Sequence, residues 1–144
     1  MKKIITILLA CCLAFGSTTP AKAYDPKAPY LSIDEVILMA KVMELENGCN
    51  SDRCLMLTGS VILNRRQSPD WPNTVQGVIY QKGQYADWTL RHIPTVEVTG
   101  RVMALALKLW RNGSVDKEIV YQSMHPELGK VKYHVDTEYF ATEK

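Results

Sequence analysis

The alternation of apolar and polar positions predicts a first helix over Ile33–Asn47. Ser32 and Glu35 have the spacing of a capping box, in which each side chain satisfies a backbone amide at the start of a helix. Gly48 follows the last helical position, where glycine often ends a helix in the left-handed conformation. Local signals therefore predict both ends of this helix.

A second helix is predicted over Asp52–Gln67, after a short turn. Its apolar residues cover most of its circumference, which is typical of a helix that is buried on several sides. Pro69 ends it, because the residue before a proline disfavours the helical conformation. We expect this helix to lie at the centre of the fold.

The middle of the chain predicts two more helices and a loop between them. A short helix covers Val75–Tyr80, and residues 81–88 form a polar and aromatic loop of the kind that often carries function. Thr95 is placed to cap a further helix that runs to about Arg111, with apolar residues at helical spacing.

Two segments near the C-terminus are rich in valine, tyrosine and phenylalanine, which is typical of strands. They cover residues 118–123 and 131–142, and a loop with Pro126 and Gly129 joins them. The predicted fold class is therefore mainly α with a small C-terminal β-hairpin (α+β).

Residues 1–23 have the layout of a secretory signal peptide, with two lysines, an apolar run over residues 4–15 and an A-x-A cleavage signal. The run is too short to span a bilayer. A lipobox at Cys11 or Cys12 is the alternative. We expect a single catalytic domain over residues 24–144, secreted or held in the cell envelope.

The charge balance indicates no particular partner. Removing residues 1–23 takes away three lysines and no acid, so the net charge of +2 becomes −1. Nucleic-acid binding favours a strongly basic face, which this balance does not provide. We expect a monomer without a nucleic-acid partner and without a membrane span in the mature chain.

Cys49 and Cys54 are the cysteines that stay after cleavage, and they lie five positions apart in a chain predicted to be exported. This context predicts a disulfide. Spacing alone does not bring the two α-carbons within bridging distance, so free or metal-bound thiols are the alternatives.

Several common kinds of catalytic site lack support in the sequence. His92, His125 and His134 are isolated, without a second ligand at the spacing of a zinc site. Neither a G-x-S-x-G motif nor a phosphate-binding glycine loop occurs. We expect no metal and no cofactor, and the carboxylates are the candidates that are left.

Glu44 and Glu46 both lie near the end of the first predicted helix, about 200° apart around its axis. Glu46 continues the apolar stripe, where desolvation disfavours a negative charge. The negative end of the helix dipole disfavours it further. Both effects favour the neutral acid, the form that a general acid needs. Geometry alone does not exclude Glu44, and a solvated charge is the ordinary alternative for either residue.

A series of short motifs runs through the chain after residue 37. It consists of L-M-A-K-V-M-E-L-E-N over residues 38–47, Cys49, Cys54, G-S-V-I-L-N-R over 59–65, S-P at 68–69, W-P-N-T-V over 71–75, G-V-I-Y-Q over 77–81, G-Q-Y over 83–85, V-Y-Q over 120–122, Gly129, Tyr133 and Y-F at 139–140. In order and spacing, this series resembles the SleB-type cell wall hydrolases.

The resemblance implies a lysozyme-like fold that degrades peptidoglycan, since many members of that family act as lytic transglycosylases. The family's acid ends the first helix, eighteen residues before the Asn of the L-N-R motif, and counting back from Asn64 leads to Glu46. The string E-N-G at Glu46 also resembles the E-S-G of the wider transglycosylase group. Many relatives carry a second Glu where this chain has Asn50, so the rim of the site differs there.

Aromatic rings that stack on sugars and amides that bind N-acetyl groups are candidates for a glycan groove. They are Gln84, Tyr85, Trp88, Tyr121 and Gln122. Core packing is an equally good interpretation of Tyr85 and Trp88. We expect Asn64 to bond the active-site loop, and Gly48 together with the predicted disulfide to fix the helix end that carries Glu46.

One convincing carboxylate suits a lytic transglycosylase, in which a hydroxyl of the sugar replaces the second carboxylate of a hydrolase. The expected partner is the glycan strand of peptidoglycan, cleaved between MurNAc and GlcNAc. The alternatives are a muramidase that activates water with a second carboxylate such as Asp87, and a glycan-binding module without activity.

Overall fold

The computed structural model describes residues 31–143, which form five helices and a three-stranded antiparallel sheet. In chain order they are α1 (Ile33–Asn47), α2 (Asp52–Gln67), α3 (Val75–Tyr80), α4 (Asp87–His92), α5 (Gly100–Asn112), β1 (Tyr121–Ser123), β2 (Lys130–Val135) and β3 (Glu138–Thr142). The mainly helical fold with a small C-terminal sheet is confirmed. The predicted signal peptide lies outside the described residues.

Helix α2 is the central element, as predicted. One of its faces joins α1, α3 and α5 in a core that includes Met43, Leu55 and Ile62, all fully buried. Its other face, with Cys54 and Val61, packs against Phe140 of β3 and the segment before β1. None of the helices within residues 31–143 is long and apolar enough to cross a membrane.

Glu35 joins the start of α1 to two other helices. The predicted capping box is present, with the Glu35 carboxylate accepting from the Ser32 amide at 3.0 Å. The same carboxylate lies 3.5 Å from Nε of Arg66, whose side chain is fully buried, and accepts from the Val75 amide at 3.3 Å. One acid therefore connects α1, the end of α2 and the start of α3.

The predicted start of the fourth helix at Thr95 is wrong, because α5 begins at Gly100 with Thr99 as its cap. The Thr99 amide and hydroxyl both donate to Oε2 of Glu44, at 2.9 and 2.8 Å. The Thr95 hydroxyl donates instead to the carbonyl of His92. The hydrogen bonds to Glu44 of α1 thus explain why Thr99, and not Thr95, caps α5.

Helix α4 corrects the prediction of a loop that extends through Trp88. It begins at Asp87, and the residue before it is Ala86, which has no side chain that can cap a helix. The sequence therefore carries no start signal at this point. The helix ends at His92, shortly before Pro94.

The second predicted strand is two strands, so the expected hairpin is part of a three-stranded sheet. Residues 130–142 turn back at Asp136, which has a positive φ of 54°, and β3 lies between β1 and β2. The Asp136 carboxylate accepts from the amide and the hydroxyl of Ser51, at 2.9 and 2.6 Å. This contact holds the turn against the start of α2.

The predicted left-handed conformation of Gly48 is wrong, since its φ of −57° and ψ of −27° are right-handed helical. Glycine is favoured there because the site has no room for a side chain. A Cβ atom on Gly48 would lie 2.6 Å from the backbone oxygen of Glu44, well inside van der Waals contact.

The predicted Cys49–Cys54 disulfide is not formed in the structure, where Cys49 is an exposed thiol and Cys54 a buried one. The side chain of Asn50 lies within contact of both sulfur atoms, with its oxygen 3.9 Å from Cys49 and its nitrogen 3.7 Å from Cys54. Burial raises the pKa of the Cys54 thiol to about 11.

We therefore expect a thiol reagent at neutral pH to modify Cys49 and to leave Cys54 unmodified in the folded protein, because the thiolate is the reactive form. Mass spectrometry of the peptides after labelling checks this. A linked pair of cysteine peptides in protein purified without reductant would contradict the structure and restore the predicted disulfide.

Candidate active site

Glu46 lies in the last turn of α1 and is partly buried. Its Oε1 atom accepts a hydrogen bond of 2.7 Å from the hydroxyl of Thr89, a buried residue of α4. This bond holds one carboxyl oxygen against the protein and leaves the other for a second partner. Glu46 is therefore a carboxyl group held in a defined position.

The turn that carries Glu46 is fixed to α2 by polar side chains. Asn47 is buried and donates to the hydroxyl of Thr58 at 2.8 Å. Asn50 in turn donates to the side-chain oxygen of Asn47 at 2.7 Å. These bonds position the end of α1 without a disulfide.

Glu44 and Glu46 lie two positions apart in sequence but contact different helices, α5 and α4. Its carboxylate accepts both bonds from Thr99 and so caps the N-terminus of α5. A negative charge is also favourable at that end of a helix dipole. The structure thus assigns Glu44 to a helix contact and leaves Glu46 as the acid beside a cleft.

A small cleft of about 40 Å³ opens beside Glu46. Its lining residues are Glu46, Val61, Arg65, Gln84, Tyr85 and Gln122. Three of the predicted groove residues, Gln84, Tyr85 and Gln122, are thus brought together with Glu46. Within residues 31–143, Glu46 is the single carboxylate among the lining residues of this cleft.

Within the described residues, Arg65 and Tyr85 are the other two ionisable residues that line the cleft beside Glu46. The Nε atom of Arg65 donates to the Val120 carbonyl at 2.6 Å, and its guanidinium lies 4.4 Å from the centre of the Trp71 ring. Burial lowers the pKa of Arg65, and the neighbouring tyrosines partly oppose this shift. Burial, with the negative charge of Glu46, raises the pKa of Tyr85 above its usual value, so that Tyr85 keeps its hydroxyl proton.

Two other predicted groove residues are not among the residues that line the cleft. Trp88 is 53% exposed on α4 and stacks on His92, with ring centres 4.3 Å apart. Tyr121 contacts Trp71 edge to face and lies near Arg65. Asp87, the predicted second carboxylate, is exposed at the start of α4 and does not line the cleft either.

Asn64 and Arg65 hold the segment that leads into β1. The side-chain amide of Asn64 donates to the carbonyls of Asp116 and Ile119, at 2.7 and 2.6 Å. With the Arg65 bond to Val120, these contacts fix the chain just before Gln122. The L-N-R motif therefore positions one wall of the cleft from the end of α2.

Two residues near Glu46 carry no signal in the sequence. Thr89 is one of many threonines and lies in a helix that the pattern does not predict. Glu138 is a buried carboxylate at the start of β3, 8% exposed. Burial, together with the negative charge of Glu46, raises its pKa, and a hydrogen bond from Gln122 opposes that shift.

A larger groove of about 520 Å³ lies elsewhere, along Asn64, Pro69 and Lys117. Its acids, Glu118 and Glu143, are exposed, and Glu118 pairs with Lys132 at 2.6 Å. Glu46 in the smaller cleft differs from these acids, because it is partly buried and held by a hydrogen bond from Thr89. No group of three or more His, Cys, Asp or Glu side chains within residues 31–143 could hold a metal ion.

Comparison with known proteins assigns the family. The family model described as Cell Wall Hydrolase matches residues 51–139, which is more than half of the chain. The chain therefore belongs to the SleB-type cell wall hydrolases and is an enzyme that acts on the cell wall. The match begins at Ser51, so Glu46 lies outside it. A search of the curated proteins found no significant match.

Two solved structures have a similar fold. The catalytic domain of the germination-specific lytic transglycosylase SleB from Bacillus anthracis is 18% identical with a TM-score of 0.67, over 78% of this chain and 97% of that domain. The catalytic domain of the Bacillus cereus SleB protein is also 18% identical with a TM-score of 0.67, over 85% of this chain and 100% of that one. The predicted lysozyme-like fold is confirmed.

Proposed function

We propose that the protein cleaves the MurNAc–GlcNAc backbone of peptidoglycan as a lytic transglycosylase, with Glu46 as its single general acid and base. The observation that supports this most is that Glu46 is the single carboxylate lining the cleft within residues 31–143. A hydrolase with two carboxylates needs the second one within reach of the scissile bond.

In the first step, the neutral Glu46 carboxyl donates its proton to the glycosidic oxygen. The bond between C1 of MurNAc and that oxygen breaks, and positive charge develops on C1. The Glu46 carboxylate formed in this step is stabilised by the bond from Thr89 to its Oε1 atom. The proton therefore leaves from the oxygen that Thr89 does not hold.

In the second step, the C6 hydroxyl of the same MurNAc attacks C1 and gives its proton to Glu46. A 1,6-anhydro ring forms, and Glu46 returns to the neutral acid without consuming water. The attacking hydroxyl is already part of the bound sugar, so a high effective concentration replaces a second carboxylate.

The test is analysis of the sugar ends that the purified protein releases from peptidoglycan. We expect 1,6-anhydromuramic ends, which are lighter by one water than reducing ends. We also expect Asp87→Asn to keep the full rate, because Asp87 does not line the cleft. Reducing ends whose formation is lost in Asp87→Asn would establish the muramidase alternative instead.

Thr89→Val should reduce the rate of wall cleavage about fivefold to tenfold, because it removes one hydrogen bond to the carboxylate that forms in the first step. Valine has nearly the same shape as threonine, so the melting temperature should change little. The rate is measured by the clearing of a cell wall suspension.

Thr95→Val is the matched control, because Thr95 is exposed and its hydroxyl bonds only the His92 carbonyl. It should cleave at the normal rate. A Thr89→Val protein as active as the control would show that the bond to Glu46 does not contribute to the reaction.

A further inference from the structure

Glu138 occupies a position where a strand residue is expected to be apolar. Within β3 its neighbours on the same face follow at every second residue, and Phe140 on that face is fully buried against α2. Glu138 itself is only 8% exposed. Because a buried carboxylate is costly unless it is hydrogen-bonded, this residue requires an explanation.

The sheet register brings Glu138 beside Gln122. Gln122 of β1 pairs directly with Phe140 of β3, so Glu138 is its diagonal neighbour on the same face. The two side chains are close enough for a hydrogen bond from the Gln122 amide to lower the pKa of the Glu138 carboxyl, against the rise that burial causes. Gln122 lines the cleft, whereas Glu138 is not among the lining residues.

We propose that Glu138 is a positioning residue, which holds the side-chain amide of Gln122 so that the Gln122 oxygen faces the cleft and accepts from an N–H or O–H group of the glycan. A carboxylate has only acceptor atoms, so the partner must turn its NH₂ group toward it. The opposite end of that amide then points away from Glu138. This assignment rests on the proposed function for the nature of the ligand.

This position also separates Glu138 from a catalytic base. A base must reach a water molecule beside the sugar, and Glu138 is buried and is not among the residues that line the cleft. Glu138 acts through Gln122, so its loss should weaken the binding of the glycan and leave the type of product unchanged.

The test is a double-mutant cycle on glycan affinity. The probe is peptide-free glycan strands from peptidoglycan, and every protein carries Glu46→Gln so that the strands are not consumed. Gln122→Ala and Glu138→Met should each weaken binding about fivefold, the effect of one hydrogen bond. The protein with both changes should bind no more weakly than Gln122→Ala alone, because the two residues form one unit.

Glu138→Gln should keep the affinity within about twofold of the parent, since its amide oxygen can still accept from Gln122. Methionine has a similar length but accepts no strong bond, so the difference between these two variants separates hydrogen bonding from packing. Glu127→Gln, a change at an exposed loop acid, is the control and should bind normally. Losses that multiply in the double variant would overturn the proposal, and so would full affinity in Glu138→Met.

A second measurement does not depend on any Glu138 variant being folded. In the parent protein, the side-chain NH₂ protons of Gln122 should exchange slowly with water, in contrast to those of exposed Gln76. Equal exchange rates at the two glutamines would overturn the proposal. Neither readout depends on turnover. A Glu46→Gln protein that still cleaved cell walls would therefore refute the proposed function, whereas the role of Glu138 would still be decided by the affinity and exchange measurements.

Discussion

Glu46→Gln should lower the rate of cell wall cleavage about 1,000-fold or more, within the range reported for the loss of general acid–base catalysis. The amide has the shape of the acid and can still accept the bond from Thr89, but it has no proton to give to the glycosidic oxygen. We expect binding of the glycan to persist. The rate is measured by the release of soluble sugar from purified walls.

Glu44→Gln is the informative comparison, because it changes the other acid of the same helix turn. Its carboxylate caps α5 through Thr99, so the variant should lose some stability but keep its activity per folded molecule. An inactive Glu44→Gln protein together with an active Glu46→Gln protein would reverse the assignment of the two acids.

Glu35→Ala should lower the free energy of unfolding by about 3 to 5 kcal/mol, the usual cost of removing one partner of a buried ion pair. Arg66 is fully buried, and its charge would then lie in the core without the carboxylate 3.5 Å away. The capping box and the bond from the Val75 amide are lost as well. The melting temperature should fall by about 10 °C or more.

Thermal unfolding followed by circular dichroism measures this loss. Asp34→Ala is the control, because Asp34 is the exposed neighbour of Glu35 in the same helix turn. It should change stability by less than about 1 kcal/mol. If both variants melted at the same temperature, the ion pair with Arg66 would not contribute to stability.

The sequence predicts α1, α2 and α3 with the bounds that the structure has, because their ends are determined locally. Ser32, Glu35 and Thr74 act within one turn of the helices that they begin. Where the prediction is wrong, contacts between distant segments determine the structure. Thr99 rather than Thr95 begins α5 because Glu44 lies beside it, and the turn at Asp136 forms against Ser51.

The candidate site could be predicted only in part. The hydrophobic periodicity did not decide whether Glu44 or Glu46 is the catalytic acid. The resemblance to a family indicated Glu46. Gln84, Tyr85 and Gln122 lie around that residue in the structure. Trp88 does not line the cleft, because its side chain is exposed on α4 and stacks on His92.

Thr89 and Glu138 could not have been found by motif or period, because nothing near them in sequence marks them. Thr89 reaches Glu46 across 43 positions of the chain, from a helix that begins without a capping side chain. Glu138 meets Gln122 only through the pairing of β1 with β3. Their positions follow from tertiary packing alone.

The most direct test of the claim that Glu46 works without a second carboxylate is digestion of peptidoglycan in water enriched in ¹⁸O. The account predicts 1,6-anhydromuramic products without label, because the attacking oxygen comes from the C6 hydroxyl of the substrate. Reducing-end products that carry one ¹⁸O atom at C1 would contradict it, because they would show that the enzyme activates water.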